Sequence, residues 1–158
     1  MRTRVYSAMI GGALLAIAAL SSLPALAALG DNVASVSTDR VHMHAQQRGV
    51  TSAVGYTVQE IEAPSGTLVR EYVSPNGTVF AVSWTGPSKP DLRQLFGSYF
   101  QQFVSASKSV RHGAAARRHF ELRQPDLIVQ SNGRMRAFHG RAYVPSLLPP
   151  GITPDSIR

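Results

Sequence analysis

The chain has no cysteine, which excludes disulfide bonds, zinc–thiolate sites and thiol nucleophiles. Four motifs of common enzyme and metal sites are also missing: G-x-S-x-G, H-E-x-x-H, the Walker phosphate loop and G-x-G-x-x-G. We therefore expect no cofactor and no metal site. A fold built from this chain must be held together by packing alone.

Long apolar runs are absent except at the N-terminus. There Arg2 and Arg4 precede a largely apolar run that extends to Leu20, and the small-residue pattern Ala25-Leu26-Ala27 follows. This order is typical of an export signal that is cleaved after residue 27. Gly, Ser and Pro interrupt the run and no basic stop-transfer cluster follows, which disfavours a membrane span. We expect residues 28–158 to form one small domain, since 131 residues suffice for a core.

Acidic residues are scarce, with 9 Asp and Glu against 16 Lys and Arg. Residues 28–103 contain five basic and six acidic side chains, whereas residues 104–158 contain nine basic and three acidic ones. A basic half indicates an anionic neighbour. In an exported protein this would be phospholipid, lipopolysaccharide, acidic glycan or an acidic protein rather than nucleic acid. The alternative is that the arginines only keep the surface soluble.

Turn signals divide the first half of the predicted domain. Asp31 can cap a short helix that runs to about Gln47 and is ended by Gly49. Beyond it, two similar turns, Pro64-Ser65-Gly66 and Pro75-Asn76-Gly77, separate three β-rich runs. These runs, at residues 56–62, 68–73 and 78–84, predict a three-stranded antiparallel meander.

A long amphipathic helix is predicted over residues 89–107. Ser88 would be its N-cap, with Asp91 in the capping-box position and Pro90 tolerated in the first turn. Apolar side chains recur at three- and four-residue steps and form one stripe: Leu92, Leu95, Phe96, Tyr99, Phe100, Phe103 and Val104. We expect this stripe to be core that covers one face of a sheet.

The C-terminal part predicts a hairpin after a basic loop at residues 111–118. Strands at 126–130 and 134–144 would be joined by the turn dipeptide Asn132-Gly133. The Pro-rich tail at residues 145–151 would be extended and lie on the surface or along a sheet edge. The sequence thus predicts an α+β domain: an antiparallel sheet of about five strands, a meander plus a C-terminal hairpin, with one helix packed on it.

Two candidate sites each consist of a pair of identical side chains, one of histidines and one of glutamates. His42 and His44 could chelate a metal on a strand, but they point to different sides of the predicted helix and no third ligand is near. A strict two-residue turn would place Glu60 opposite Glu71, which suits acid–base chemistry. A turn one residue looser would instead pair Glu60 or Glu62 with Arg70, and we favour that alternative.

The predicted hairpin carries the remaining candidates. An Asn132-Gly133 turn places Asp126 opposite His139, which is half of a catalytic constellation or an ordinary polar pair. Arg134, Arg136 and Arg141, with His139 among them, form the most compact basic group on a predicted regular element. Guanidinium groups can hold phosphate or carboxylate groups bidentately, so these four residues are the candidate binding site.

Several segments carry a resemblance to one family. They are residues 27–30, 56–60, 69–75, 79–87 and 135–145, and the most specific are Arg70-Glu71-Tyr72-Val73 and Phe138-His139-Gly140-Arg141-Ala142-Tyr143. Together they resemble domain-of-unknown-function family 2844, short exported proteins of proteobacteria. The resemblance implies an exported protein of a Gram-negative bacterium. It implies no activity, ligand or catalytic residue.

Two functions remain open at this stage. The favoured one is a non-enzymatic accessory protein of the periplasm or cell envelope, which contacts an anionic envelope component or a partner protein through its basic second half. The other is a small periplasmic hydrolase or transferase that uses Asp126 and His139. A deep pocket that contains these two residues would favour the enzyme.

Overall fold

A computed structural model of the chain describes residues 29–34, 37, 40–41, 43–109 and 119–158. The predicted export signal and the predicted basic loop at 111–118 lie outside the described residues. Within them, no helix is both long enough and apolar enough to cross a membrane.

Seven β-strands form one antiparallel sheet in the order β1-β2-β3-β4-β7-β6-β5. Their bounds are β1 Gln46–Ala53, β2 Tyr56–Glu62, β3 Leu68–Val73, β4 Val79–Gly86, β5 His119–Gln124, β6 Leu127–Arg134 and β7 Ala137–Tyr143. The α+β class and the meander, β2 to β4, are confirmed. The prediction of about five strands is too low, because β1 and β5 were missed.

Strand β1 replaces the end of the predicted helix from Asp31 to Gln47. Helical residues do occur there, at Ala34 and at Arg40 for example, but the strand begins at Gln46. Gly49 does not end a helix; it lies in β1, beside a bulge. The strand is an edge strand whose side chains are mostly exposed, so it lacks the apolar alternation by which a strand is recognised.

The predicted helix is confirmed as one 16-residue helical segment that starts later than expected. It consists of α1 Leu92–Phe96, a 3₁₀ turn Gly97–Tyr99 and α2 Phe100–Ser107. The N-cap is Asp91 rather than Ser88: the Asp91 carboxylate accepts from the backbone N–H groups of Arg93 (2.9 Å) and Gln94 (3.4 Å). Pro90 explains the shift, since a residue before proline disfavours helical backbone.

The helical segment packs on one face of the sheet. Leu95 and Phe96 are fully buried, and the ring of Phe96 lies 6.3 Å from that of Trp84 on β4. The other predicted stripe residues that pack at the margin of this core are Leu92, Tyr99, Phe100 and Phe103. The prediction that the stripe is core is therefore confirmed for six of its seven residues, while Val104 does not belong to this core.

The C-terminal segment, residues 145–158, lies against the opposite face. Its Ile157 is 1% exposed and packs in a cluster with Tyr72, Phe80 and Tyr143. The tail predicted to lie on the surface or along a sheet edge, residues 145–151, is exposed or only partly buried, whereas the burial of Ile157 further along the chain was not predicted. The cause is the apolar patch on this face, which the segment covers.

The C-terminal hairpin turns three residues later than predicted. Arg134 pairs with Ala137, so Met135 and Arg136 form the turn and Arg136 has a φ of +64°. Gly133 lies inside β6 beneath Phe138, whose Cδ1 would be 2.5 Å from a β-carbon on that glycine. Both registers put the same residues on the same face, so the apolar pattern could not distinguish them.

Candidate binding cavity

A cavity of about 450 Å³ opens on the sheet, a volume in the range of sites for small organic molecules. Six polar side chains from three adjacent strands belong to its lining: Ser83 and Thr85 of β4, Gln130 and Asn132 of β6, and His139 and Arg141 of β7. Trp84 and Gly140 also contribute, and the C-terminal segment adds Ile157 and Arg158.

The strand register explains why these polar side chains meet. Directly opposed residues share a face, because side chains alternate along each strand. One row of opposed residues crosses six strands: Glu60, Arg70, Ser83, Arg141, Gln130 and Glu121. We call it the polar row. The next row towards the β6–β7 turn contains Thr85, His139 and Asn132, and the cavity lies along these two rows.

Arg141 is the central cation of the cavity. Its Nε donates to Oε1 of Gln130 (2.7 Å), and its Nη1 donates to the carbonyl oxygens of Pro154 (2.6 Å) and Ile157 (3.2 Å). All of these acceptors are uncharged. Arg141 is half-buried and forms no ion pair with a described residue. Its charge is thus partly removed from water without a described counter-ion, which is a costly arrangement.

The nearest carboxylate of the polar row is engaged elsewhere. Glu121 accepts from Nε2 of Gln130 (2.8 Å) and pairs with Nη2 of Arg123 (2.6 Å). The hydrogen bond from Gln130, followed by the charge of Arg123, lowers the pKa of Glu121 below its ordinary value. Gln130 therefore lies between Glu121 and Arg141. Its amide oxygen accepts from Arg141, and its amide nitrogen donates to Glu121.

The other groups that line the cavity are mainly donors. His139 and Thr85 make no side-chain hydrogen bond to a described residue. The Oδ1 of Asn132 is hydrogen-bonded to Nδ1 of His119. The guanidinium of Arg158 makes one hydrogen bond within the described chain, from Nε to the carbonyl oxygen of Asp155 (3.3 Å). Two arginines and a histidine line the cavity, and no described acidic residue does. Such a site suits an anion.

The structure divides the predicted binding group. His139 and Arg141 line the cavity, whereas Arg134 ends β6 and Arg136 lies in the turn, and neither belongs to the lining. Sequence reasoning missed Arg158 and the neutral polar residues. No spacing signal could have found Arg158, because the fold of the C-terminal segment brings it back to the sheet.

The Asp126–His139 pair is wrong. Gln124 pairs with Leu127, so Asp126 lies in the β5–β6 turn. His139 instead faces Asn132 on β6 and Thr85 on β4. The shifted hairpin turn is the cause, since it moves every opposed position.

The Glu60–Glu71 pair is also wrong, and the looser turn is confirmed. Glu60 faces Arg70, whose Nε lies 2.5 Å from its carboxylate, while Glu71 faces Gln59 on the helix-covered side of the sheet. Glu62 pairs with Arg48 instead. Unlike charges thus replace the unfavourable like-charge pair.

The histidine pair His42 and His44 can be followed only in part. His42 lies outside the described residues, and His44 has a φ of +49° just before β1. In the part of the chain that the structure describes, no three His, Cys, Asp or Glu side chains are grouped so that they could hold a metal ion.

Comparisons with known proteins bear on the family alone. The family model described as "Protein of unknown function", domain-of-unknown-function family 2844, matches residues 25–157. Searches of curated proteins and of solved structures found no match. The match spans all seven strands, the helical segment and most of the C-terminal segment, so it includes the cavity residues other than Arg158.

Proposed function

The chain belongs to domain-of-unknown-function family 2844, and on that premise we propose that it is an exported accessory protein of a Gram-negative cell envelope. In this proposal residues 28–158 act as one domain after removal of the export signal. The domain binds an anionic envelope component or an anionic partner protein, without catalysis, through the basic second half of the chain.

One observation carries the proposal: Arg141 is half-buried at a cavity, is bonded to uncharged acceptors and has no described ion-pair partner. An anion in the cavity would supply the missing counter-charge and form charge-assisted hydrogen bonds. His139, from the predicted binding group, lines the same cavity and adds a donor. Arg134 and Arg136 lie outside the cavity, towards the turn of the same hairpin.

The alternative of a small hydrolase or transferase loses its support. It required Asp126 to hold the imidazole of His139, and the register places Asp126 in a turn instead. Within the cavity lining the described chain offers His139 but no carboxylate to orient it. Binding accounts for the arrangement better than acid–base chemistry does.

The proposal is tested by capture from the organism's own envelope fraction, with lipids and proteins both identified. Protein with Arg141→Gln should lose the captured component, because the cavity then has no central cation. Arg134→Gln is the matched control, since it removes the same charge from the same hairpin outside the cavity. Equal capture by both variants and the unchanged protein would overturn the proposal.

Export is tested separately by the mass of the protein recovered from the periplasmic fraction. The proposal expects a chain that begins at residue 28. Recovery of the uncleaved chain from the cytoplasm would contradict the exported part of the proposal and leave the binding part standing.

A further inference from the structure

The C-terminal segment is held on the sheet through its main chain. The main-chain oxygen of Arg158 accepts from the Tyr72 hydroxyl (2.6 Å) and from Oγ of Ser83 (2.8 Å). The backbone N–H of Arg158 donates to the Tyr72 hydroxyl (2.8 Å), and Nη1 of Arg70 donates to the same main-chain oxygen (3.2 Å). These bonds fix the backbone at residue 158, beside the cavity that Arg158 helps to line.

Ile157 fixes the same segment from the apolar side. Its side chain is buried among Tyr72, Phe80 and Tyr143, and its carbonyl oxygen accepts from Arg141. Neighbouring residues 157 and 158 thus have separate roles: one anchors the segment by burial, and the other places a cation at the cavity. The cavity is complete only while the segment is docked.

The lining also has an apolar part. Apolar atoms make up more of the lining surface than polar atoms do, whereas Arg141, Arg158 and His139 supply positive or polar groups. A ligand that satisfies both parts carries one anionic group and an apolar body. A carboxylate or a phosphate monoester suits the guanidinium groups, which can hold either bidentately.

We propose that the cavity binds a small amphipathic organic anion, with a carboxylate or phosphate head on Arg141 and Arg158, and that docking of the C-terminal segment completes the site. This inference rests on the proposed function and narrows it to one chemical class of ligand. It also makes affinity depend on Tyr72, which anchors the segment but does not line the cavity.

Isothermal titration calorimetry measures binding to the cavity directly, as heat released or absorbed. The protein is titrated with hexanoate, hexyl phosphate, inorganic phosphate and hexanol. The two amphipathic anions should give saturable changes, and whichever binds more tightly identifies the head group. Inorganic phosphate and hexanol should bind at least about 10-fold more weakly, because each lacks one of the two features. Equal affinity for hexanol, or no saturable change with either anion, would overturn the ligand class.

The role of the segment is tested with Tyr72→Phe, which removes the hydroxyl that bonds the backbone of Arg158. Hexanoate and hexyl phosphate should bind about 10-fold more weakly to this variant and to Arg158→Gln. The matched control is Tyr143→Phe, because Tyr143 lies in the same cluster and its hydroxyl makes no hydrogen bond to a described residue. Circular dichroism confirms that each variant is folded.

The outcomes separate the two proposals. If Arg141→Gln abolishes binding while Tyr72→Phe and Arg158→Gln bind normally, the segment has no part in the site and the proposed function stands. If capture from the envelope depends on Arg141 but the probes do not bind, the ligand class is wrong. If Arg141→Gln changes neither capture nor probe binding, both proposals fail.

Discussion

The indole of Trp84 packs directly on Gly140 of the neighbouring strand. A β-carbon on Gly140 would lie 2.3 Å from Cζ2 of Trp84 and 2.8 Å from the carbonyl oxygen of Gln130. Only glycine leaves room for both contacts. Gly140 also belongs to the cavity lining, so the indole supports from the helix-covered face a strand that forms the site.

Gly140→Ala should therefore destabilise the protein. The added methyl group must displace a ring that is 2% exposed or a strand backbone, and we expect a loss of about 1–3 kcal/mol in the free energy of unfolding. Urea denaturation measures it. Gly49→Ala, with no atom within 4 Å of the new β-carbon, should change the value by less than about 0.5 kcal/mol. Equal losses at the two positions would contradict this packing.

The sequence indicates a strand most reliably where one face is buried and turn residues interrupt the pattern. Strands β2, β3 and β4 meet both conditions. Strand β1 meets neither, since it is an exposed edge joined to β2 by Val54 and Gly55. Asn132-Gly133 is the strongest turn signal in the second half of the chain, yet the hairpin turns beyond it. Extending β6 to Arg134 adds backbone pairs and packs Phe138 on Gly133.

Ile157→Ala should release the C-terminal segment from the sheet. The substitution empties a buried position in the cluster with Tyr72 and Phe80, which costs about 2–5 kcal/mol for an isoleucine in a core. Thermal and urea unfolding measure the loss. Val54→Ala is the control, because Val54 is 95% exposed and its truncation should cost less than about 0.5 kcal/mol. A similarly small effect at Ile157 would mean that the segment is not docked.

The start of the helical segment gives a further prediction. Asp91→Ala removes the acceptor for two backbone N–H groups and should lower the free energy of unfolding by about 1 kcal/mol. Asp155→Ala is the control, because the Asp155 side chain makes no hydrogen bond to a described residue. If urea denaturation shows no difference between the two variants, Asp91 is not the cap.

Glu121 should titrate below its ordinary pKa of about 4.3, because Gln130 and then Arg123 stabilise its charged form. A lowered pKa in the folded state means that this contribution to stability is present above the unfolded pKa and is lost as the pH falls through the folded pKa. Carbon-detected NMR of the carboxyl group measures the titration.

Gln130→Met should move the pKa of Glu121 upward, since it removes the largest cause of the shift. Glu62 is an internal control: the hydrogen bond from Arg48 lowers its pKa, and the substitution should leave that pKa unchanged. A Glu121 titration that is identical in the two proteins would show that Gln130 does not bridge it to Arg141.

The candidate site was only half predictable. His139 and Arg141 could be named because a basic cluster on a strand is visible in the sequence. The sequence could not show that Arg141 lines the cavity while Arg134 does not, because this depends on which residues of β4 and β6 lie beside each arginine. Arg158 depends on hydrogen bonds between side chains of the sheet and main-chain atoms of the C-terminal segment, which leave no pattern in the sequence.

The central claim is that an anion binds in the cavity at Arg141 rather than on the exposed hairpin turn. The most direct measurement is the ¹⁵N shift of each arginine Nε during a titration with hexanoate. The account predicts a saturating shift of the Arg141 Nε and no shift at Arg134 or Arg136. The side-chain amide nitrogen of Asn132, followed in the same titration, should shift together with Arg141. Shifts confined to Arg134 and Arg136, with Arg141 unchanged, would contradict it.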